Sequence, residues 1–216
     1  MKKTALGGLA LAGTLFFQLA GAGPSTAAER PVVTKTVTRG EGLTAEFDRT
    51  DGCIQTTVSV FGSVFTSRGS TARDKLGFVS VTQVDICTGT TLINGFGETT
   101  STLNLAVPDE LARGHLRMSM EFTNFADPDN PVVSPMTADV SFRATAKATT
   151  TFAMSRFPSE GIRLVSSQGT KSRPVSATGT VTLGAQKVVS RGMSSFSATI
   201  GSVVTKEKTT TFRAMK

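Results

Sequence analysis

The chain has 216 residues, a formal net charge of +7, one His, two Cys and neither Trp nor Tyr. One His and two Cys exclude the usual four-ligand Cys/His zinc site unless carboxylates complete it. Without Trp or Tyr only Phe remains as an aromatic platform for sugars or nucleobases, and a 38% share of hydrophobic residues argues against an intrinsically disordered chain.

The first 28 residues have the layout of a secretory signal peptide. Lys2 and Lys3 precede an uncharged apolar run over 5–22, and small residues follow it. A membrane-spanning helix is the alternative, but five glycines within 7–23 weaken it. Cleavage after Ala22 or Ala28 fits, and we favour Ala28. This predicts a secreted or periplasmic bacterial protein with no transmembrane anchor in the mature chain and a single domain over 29–216.

Cys53 and Cys87 are the only cysteines. Because an exported chain folds in an oxidising compartment, we expect them to form a disulfide. A reactive thiol is the alternative, but neither cysteine has a nearby His and the Cys-x-x-Cys spacing is absent.

Apolar and polar residues alternate with a period of two along most of the remaining chain, which predicts strands. The alternation is strict over 116–122 and again over 138–148. Its phase switches between Val81 and Val84, which indicates a bulge or a strand that changes sheet. A single helical turn is expected near 108–113, where Pro108 and acidic residues suit a helix start.

About ten strands separated by Gly-, Pro- and Ser-rich loops predict an all-β domain. We expect a two-sheet antiparallel β-sandwich, with a β-barrel as the alternative. Predicted loops include 40–42, 67–75, 124–135 and 169–174. The strands at 113–123 and 137–149 are predicted to form a hairpin in which Glu121 faces Arg143, because like charges directly opposite are unfavourable.

Three groups of side chains are candidates for chemistry. Basic residues in two predicted loops could contact an anionic polymer such as a surface polysaccharide or a nucleic acid: Arg68, Arg73 and Lys75 in the first, Lys171 and Arg173 in the second. Oxygen ligands in one proline-stiffened loop could bind Ca²⁺: Asp127, Asp129 and Asn130. His115 is the only imidazole and shares the polar face of its strand with charged residues.

No catalytic residues can be assigned from these patterns. A Gly-x-Ser-x-Gly motif is absent, and the acidic residues sit singly along the chain. The sequence therefore predicts an exported, non-enzymatic interaction or structural module of the bacterial envelope or exterior. Its partner would be an unidentified envelope or extracellular macromolecule, with no specific nucleic acid and no required cofactor. A carboxylate-dependent hydrolase and a small outer-membrane β-barrel are the alternatives.

Overall fold

The computed structural model describes residues 31–159 and 161–211, so the predicted signal peptide lies outside the described residues. Eleven strands and one short 3-10 turn at Asp109–Leu111 make up the regular structure. The strands are β1 Val32–Asp51, β2 Ile54–Ser67, β3 Arg73–Asp85, β4 Thr90–Thr99, β5 Asn104–Ala106, β6 Arg113–Asn124, β7 Val132–Ala144, β8 Thr149–Ser159, β9 Ile162–Leu183, β10 Gln186–Val189 and β11 Ser197–Thr211.

All eleven strands belong to one antiparallel sheet, and eight of them close into a hydrogen-bonded ring. The ring runs β1, β2, β3, β4, β6, β7, β9 and β11, and β11 returns to β1. β5, β8 and β10 attach to its edges. The all-β prediction is confirmed, but the structure does not show the two separate sheets of the predicted sandwich.

The hydrophobic core fills the inside of the ring. Successive residues of a strand point to opposite faces, and alternate positions on each ring strand are buried. The packing crosses the ring, since a Cβ on Gly114 of β6 would lie 2.7 Å from the Leu43 side chain of β1. An eight-stranded ring has an interior just wide enough for side chains to fill, so this core leaves the outer surface and the ends available for function.

Two local predictions are confirmed. The register between β3 and β4 shifts between Gln83 and Val84, where the apolar phase of the sequence switches, so the switch marks a bulge. The helical turn follows Pro108, and its last residue, Leu111, is buried. Leu111 and Glu110 both have positive φ, at 59° and 64°, which is a strained conformation for residues with a Cβ.

We expect Glu110→Gly to raise the free energy of unfolding by about 0.5 kcal/mol. Relief of left-handed strain, about 1 kcal/mol, exceeds the additional entropy that glycine loses on folding. Urea unfolding monitored by circular dichroism measures the change. Ala112→Gly is the matched control, because Ala112 has ordinary right-handed helical angles and should lose about 0.5 kcal/mol. Equal losses for both variants would contradict the strain at Glu110.

The predicted hairpin between β6 and β7 exists, but its predicted register is wrong. Arg143 lies opposite Arg113, and Glu121 lies opposite Pro135. The buried residues explain the difference. Within the ring Met118 pairs with Ala138 and Met120 with Met136, and burial of an apolar side chain outweighs the few tenths of a kcal/mol at stake between exposed charges.

Two predicted loops are strand instead. β1 continues through 40–42, where a Cβ on Gly40 would lie 2.5 Å from the Phe65 ring, so this glycine serves close packing and not a turn. β9 continues through 169–174. Pro174 lies between the points where β8 and β7 pair with β9, and proline, which has no N–H to donate, fits such a break in the ladder.

The predicted disulfide between Cys53 and Cys87 is confirmed, with a Cα–Cα distance of 5.4 Å. It joins the β1–β2 turn to the end of β3. The Ile86 N–H donates to the Cys53 carbonyl at 2.7 Å, and the Asp85 carboxylate accepts from the N–H groups of Cys87 and Thr88. Both sulfurs are bonded to each other, so this bridge is structural.

Candidate anion-binding face

Four strands extend beyond one end of the ring and form a projecting sheet in the order β8, β9, β11, β1. We define the projecting sheet as β8 together with 162–174 of β9, 201–211 of β11 and 32–42 of β1, whose Gly42 pairs with Gly201. β2 stops at Ser67, which pairs with Thr38, and β7 stops at Ala144, which pairs with Val175. β8 then takes the place of β7 beside β9, and its whole length is exposed.

All eight cations of the projecting sheet lie on one of its two faces. Residues paired directly across antiparallel strands share a face, and the registers from β8 through β9 and β11 to β1 are unbroken. This face continues the inside of the ring, because Leu43, Ile200 and Arg173 belong to one row. We call the following eight residues the basic face: Lys35, Arg39, Arg156, Arg163, Lys171, Arg173, Lys206 and Lys208.

The cations occupy successive rows of the basic face. Lys35 and Lys208 are directly opposite, and the same row reaches Arg156 on β8. Lys206 lies one row nearer the ring. Directly opposite Cβ atoms lie about 5 Å apart, and successive rows on one face lie about 7 Å apart. The face thus carries positively charged side chains on its successive rows.

One acid lies among the eight cations of this face, namely Glu41, which is opposite Ser202 in the row of Lys171. The other acidic residue described in the projecting sheet is Glu207, whose pairing with Thr36 and Ser166 places it on the opposite face. In the part of the chain that the structure describes, the ion pairs are Arg49 with Asp51 and His115 with Asp139. None of the eight cations therefore forms an ion pair with a described carboxylate, and the face keeps a large excess of positive charge over Glu41.

Arg173 and Lys171 form the base of the basic face, where the projecting sheet joins the ring, and both are half-buried. The Arg173 guanidinium donates to the Ala146 carbonyl at 2.7 Å and to the Glu110 carbonyl at 3.0 Å. These bonds fix the guanidinium against neutral carbonyls and leave its charge uncompensated, so Arg173 has a defined position at the base of the face.

The five cations predicted from sequence are distributed differently from the prediction. Lys171 and Arg173 lie on β9, and the predicted loop around them is wrong. Arg73 and Lys75 begin β3, opposite Thr66 and Val64, and their register places them on the same inner face of the sheet. Lys75 donates to the Leu103 carbonyl at 3.0 Å. Arg68 lies in the turn after β2.

The predicted calcium ligands lie in the β6–β7 loop at the opposite end of the ring. The Asp127 carboxylate is engaged within the loop, because one oxygen accepts from the Asp129 N–H at 3.1 Å and the other from the Asn130 side-chain amide at 3.1 Å. These contacts define a self-capped turn. The Ca²⁺ site stays a prediction.

His115 and Asp139 form an exposed pair on the outside of the ring, with Nε2 and Oδ1 2.8 Å apart. Ser141 lies directly opposite His115, beside a shallow groove of about 330 Å³ that Asp139, Ser141 and Arg191 help to line. The residue types resemble a serine-hydrolase triad, yet the described hydrogen bonds of His115 reach Asp139 and not the Ser141 hydroxyl. Triad chemistry requires that serine–histidine bond.

Exposed apolar side chains occur at both ends of the molecule. At the outer end of the projecting sheet these are Val32, Val33 and Phe157, which we call the apolar tip. Phe152 and Met154 of β8 are also exposed and lie further in, on the basic face. At the opposite end of the ring Phe96 contacts the rings of Phe78 and Phe125 at centroid distances of 5.9 and 5.8 Å. The apolar tip adjoins the basic face, whereas the phenylalanine cluster does not.

No protein-family model, no curated protein and no solved structure matches this chain. In the described residues no helix has the length and apolar character needed to cross the membrane. The fold and the surface together define an all-β protein with a closed ring of strands and a one-sided basic extension. Its function has to be inferred from that surface.

Proposed function

We propose that this protein is an exported, non-enzymatic module that binds an anionic macromolecule through the basic face. The observation that carries the proposal is the placement of all eight cations on one face of the projecting sheet, where Glu41 is the one described acid among them. Chance distribution of these side chains would divide them between the two faces.

The energetics of the free protein support the proposal. Lys35 directly opposite Lys208 costs a few tenths of a kcal/mol, and the neighbouring rows add further repulsion. A bound anionic partner would remove this repulsion and gain attraction from all rows at once. A row spacing of about 7 Å suits repeated anionic groups better than one small anion.

The two alternatives have less support. A carboxylate-dependent hydrolase needs two carboxyl groups across a cleft, and the two grooves described on the ring contain one, that of Asp139. An outer-membrane barrel would turn the outside of the ring toward lipid. The charged residues Arg117 and Glu121 occupy exposed positions of β6 on that side, and an arginine near the bilayer midplane costs about 2–4 kcal/mol.

Replacing both β11 lysines of the basic face, as Lys206→Glu with Lys208→Glu, is expected to weaken binding to heparin at least tenfold. Each exposed ion pair contributes up to about 1 kcal/mol, and the new carboxylates add repulsion. The fold should persist, because Glu at position 208 would face Lys35 and replace a repulsive pair with an attractive one. Titration calorimetry with soluble heparin at about 0.1 M salt measures the affinity, and urea unfolding checks stability.

The matched control is Arg113→Glu with Arg143→Glu. It makes the same change in net charge on the outside of the ring, where the two arginines are directly opposite and exposed. We expect its heparin affinity to stay within about threefold of the unmodified protein. Both arginines lie on the outside of the ring, away from the basic face, so a polymer bound to that face would form no ion pair with them. Equal losses in the two variants would show that net charge alone drives binding and would overturn the proposal.

A further inference from the structure

We infer that the anionic partner is a phospholipid membrane surface, which the projecting sheet meets end-on with its apolar tip inserted among the headgroups. The inference rests on the proposed function, because the basic face supplies the attraction. It adds the class of the partner and the orientation in which the protein binds it. Three observations lead from the basic face to a lipid surface.

The first observation is that apolar side chains are exposed on both faces of the tip. Val33 lies on the same face as the cations, while Val32 and Phe157 lie on the other. Val32 and Phe157 are each 59% exposed, and Val33 is 46% exposed. A soluble polymer that lies along the basic face would leave the other two in water, whereas a membrane interface would bury both sides of the tip.

The second observation is the order of residues from the tip inward. The row of Val33 also contains Arg163, and the row of Lys35, Lys208 and Arg156 comes two residues further in. Successive rows of one face are about 7 Å apart, which is comparable with the depth of 5–10 Å to which interfacial segments bury apolar residues. Cations directly behind an inserted tip would lie at the level of the phosphates.

The third observation is a separation of charge along the molecule. The end of the ring away from the projecting sheet carries acidic side chains in its turns and strand ends: Asp48, Asp51, Asp85, Asp127 and Asp129. The described acids Glu41, Asp74 and Glu110 near the projecting sheet are outnumbered by its eight cations. An anionic membrane would attract the basic end and repel the acidic one, within a Debye length of about 10 Å at 0.1 M salt. This asymmetry favours an end-on orientation, which is the one that brings the tip to the lipid.

The test measures sedimentation of the mature protein with vesicles of phosphatidylcholine containing phosphatidylglycerol, and with vesicles of phosphatidylcholine alone. We expect binding to the anionic vesicles only. Phe157→Ser should reduce the partition coefficient at least tenfold, because the variant can no longer bury a large apolar side chain in the interface. Phe196→Ser is the matched control, since Phe196 is 66% exposed but precedes β11 at the end away from the tip, and it should leave vesicle binding unchanged.

Heparin affinity, measured on the same variants, separates the two proposals. Phe157→Ser should bind heparin like the unmodified protein, because it keeps all eight cations. Heparin binding without vesicle binding would overturn the membrane inference and leave the proposed function standing. Vesicle binding that is indifferent to Phe157→Ser would also overturn the inserted tip. If Lys206→Glu with Lys208→Glu still binds both heparin and anionic vesicles like the unmodified protein, both proposals are overturned.

Discussion

Gly95→Ala is expected to lower the free energy of unfolding by about 3 kcal/mol. Only three residue pairs join β4 to β6: Gly95 with Asn124, Phe96 with Thr123, and Gly97 with Phe122. A Cβ on Gly95 would overlap the Thr123 carbonyl oxygen. Because the obstacle is backbone, no side chain can rotate away, and the strands must separate. Overpacking of this kind costs about 1–3 kcal/mol, and more where the neighbour cannot move.

Urea unfolding gives the size of this loss, and hydrogen exchange locates it. Exchange should accelerate first at the amides of β4 and β6, since this is the shortest seam of the ring. Gly201→Ala on β11 is the control. The atom nearest to its Cβ would be the Lys171 carbonyl oxygen at 3.8 Å, which is an ordinary van der Waals distance. A loss below about 1 kcal/mol for Gly95→Ala, or one equal to that of Gly201→Ala, would contradict the role of the β4–β6 seam.

Removal of the disulfide by Cys53→Ser with Cys87→Ser is expected to cost about 4 kcal/mol. The bond spans 34 residues, and closing a loop of this length removes that amount of entropy from the unfolded chain in the chain-entropy model. Guanidinium unfolding of the oxidised protein, the reduced protein and the variant measures the difference. Reduced protein and variant should coincide, which separates loss of the cross-link from any effect of the serines.

The disulfide variant also serves as a control for binding. Cys53 and Cys87 lie at the end of the ring away from the basic face, so heparin affinity should not change while the protein stays folded. A loss of less than about 1 kcal/mol would indicate that the unfolded chain is already compact around these residues. A loss of heparin affinity in the folded variant would show that the two ends of the ring are coupled.

The sequence predicted the strands well where one face is buried. Alternation over 116–122 and 138–148 predicted strands with the correct residues inward as far as Ala144, and the phase switch near Val81 marked a real bulge. The second predicted strand was too long, because β7 ends at Ala144 and β8 begins at Thr149. The order of the strands and their registers could not be predicted from the sequence, because pairing depends on partners distant in the chain. The prediction paired Glu121 with Arg143 because their charges are opposite. The observed register is determined by buried pairs such as Met118 with Ala138.

The sequence predicted only part of the basic face. Lys171 and Arg173 stood out as a cluster, but Gly169 and Pro174 resemble loop signals, so their side-chain directions could not be assigned. Lys35 and Lys208 lie in Thr-rich segments, and Arg163 lies two residues after a glycine in a short mixed segment. None of the three segments has a strong apolar alternation. Only the registers of four strands show that these cations share a face, and registers are not encoded locally.

We expect the pairing of β1 with β11, and with it the complete basic face, to form late in folding. Lys35 and Lys208 face each other across strands from opposite ends of the described chain, and contacts so distant in sequence form slowly because a long loop must close first. An unfolded or half-emerged chain carries the same cations, but dispersed. We therefore expect high-affinity anion binding only after β1 and β11 have paired.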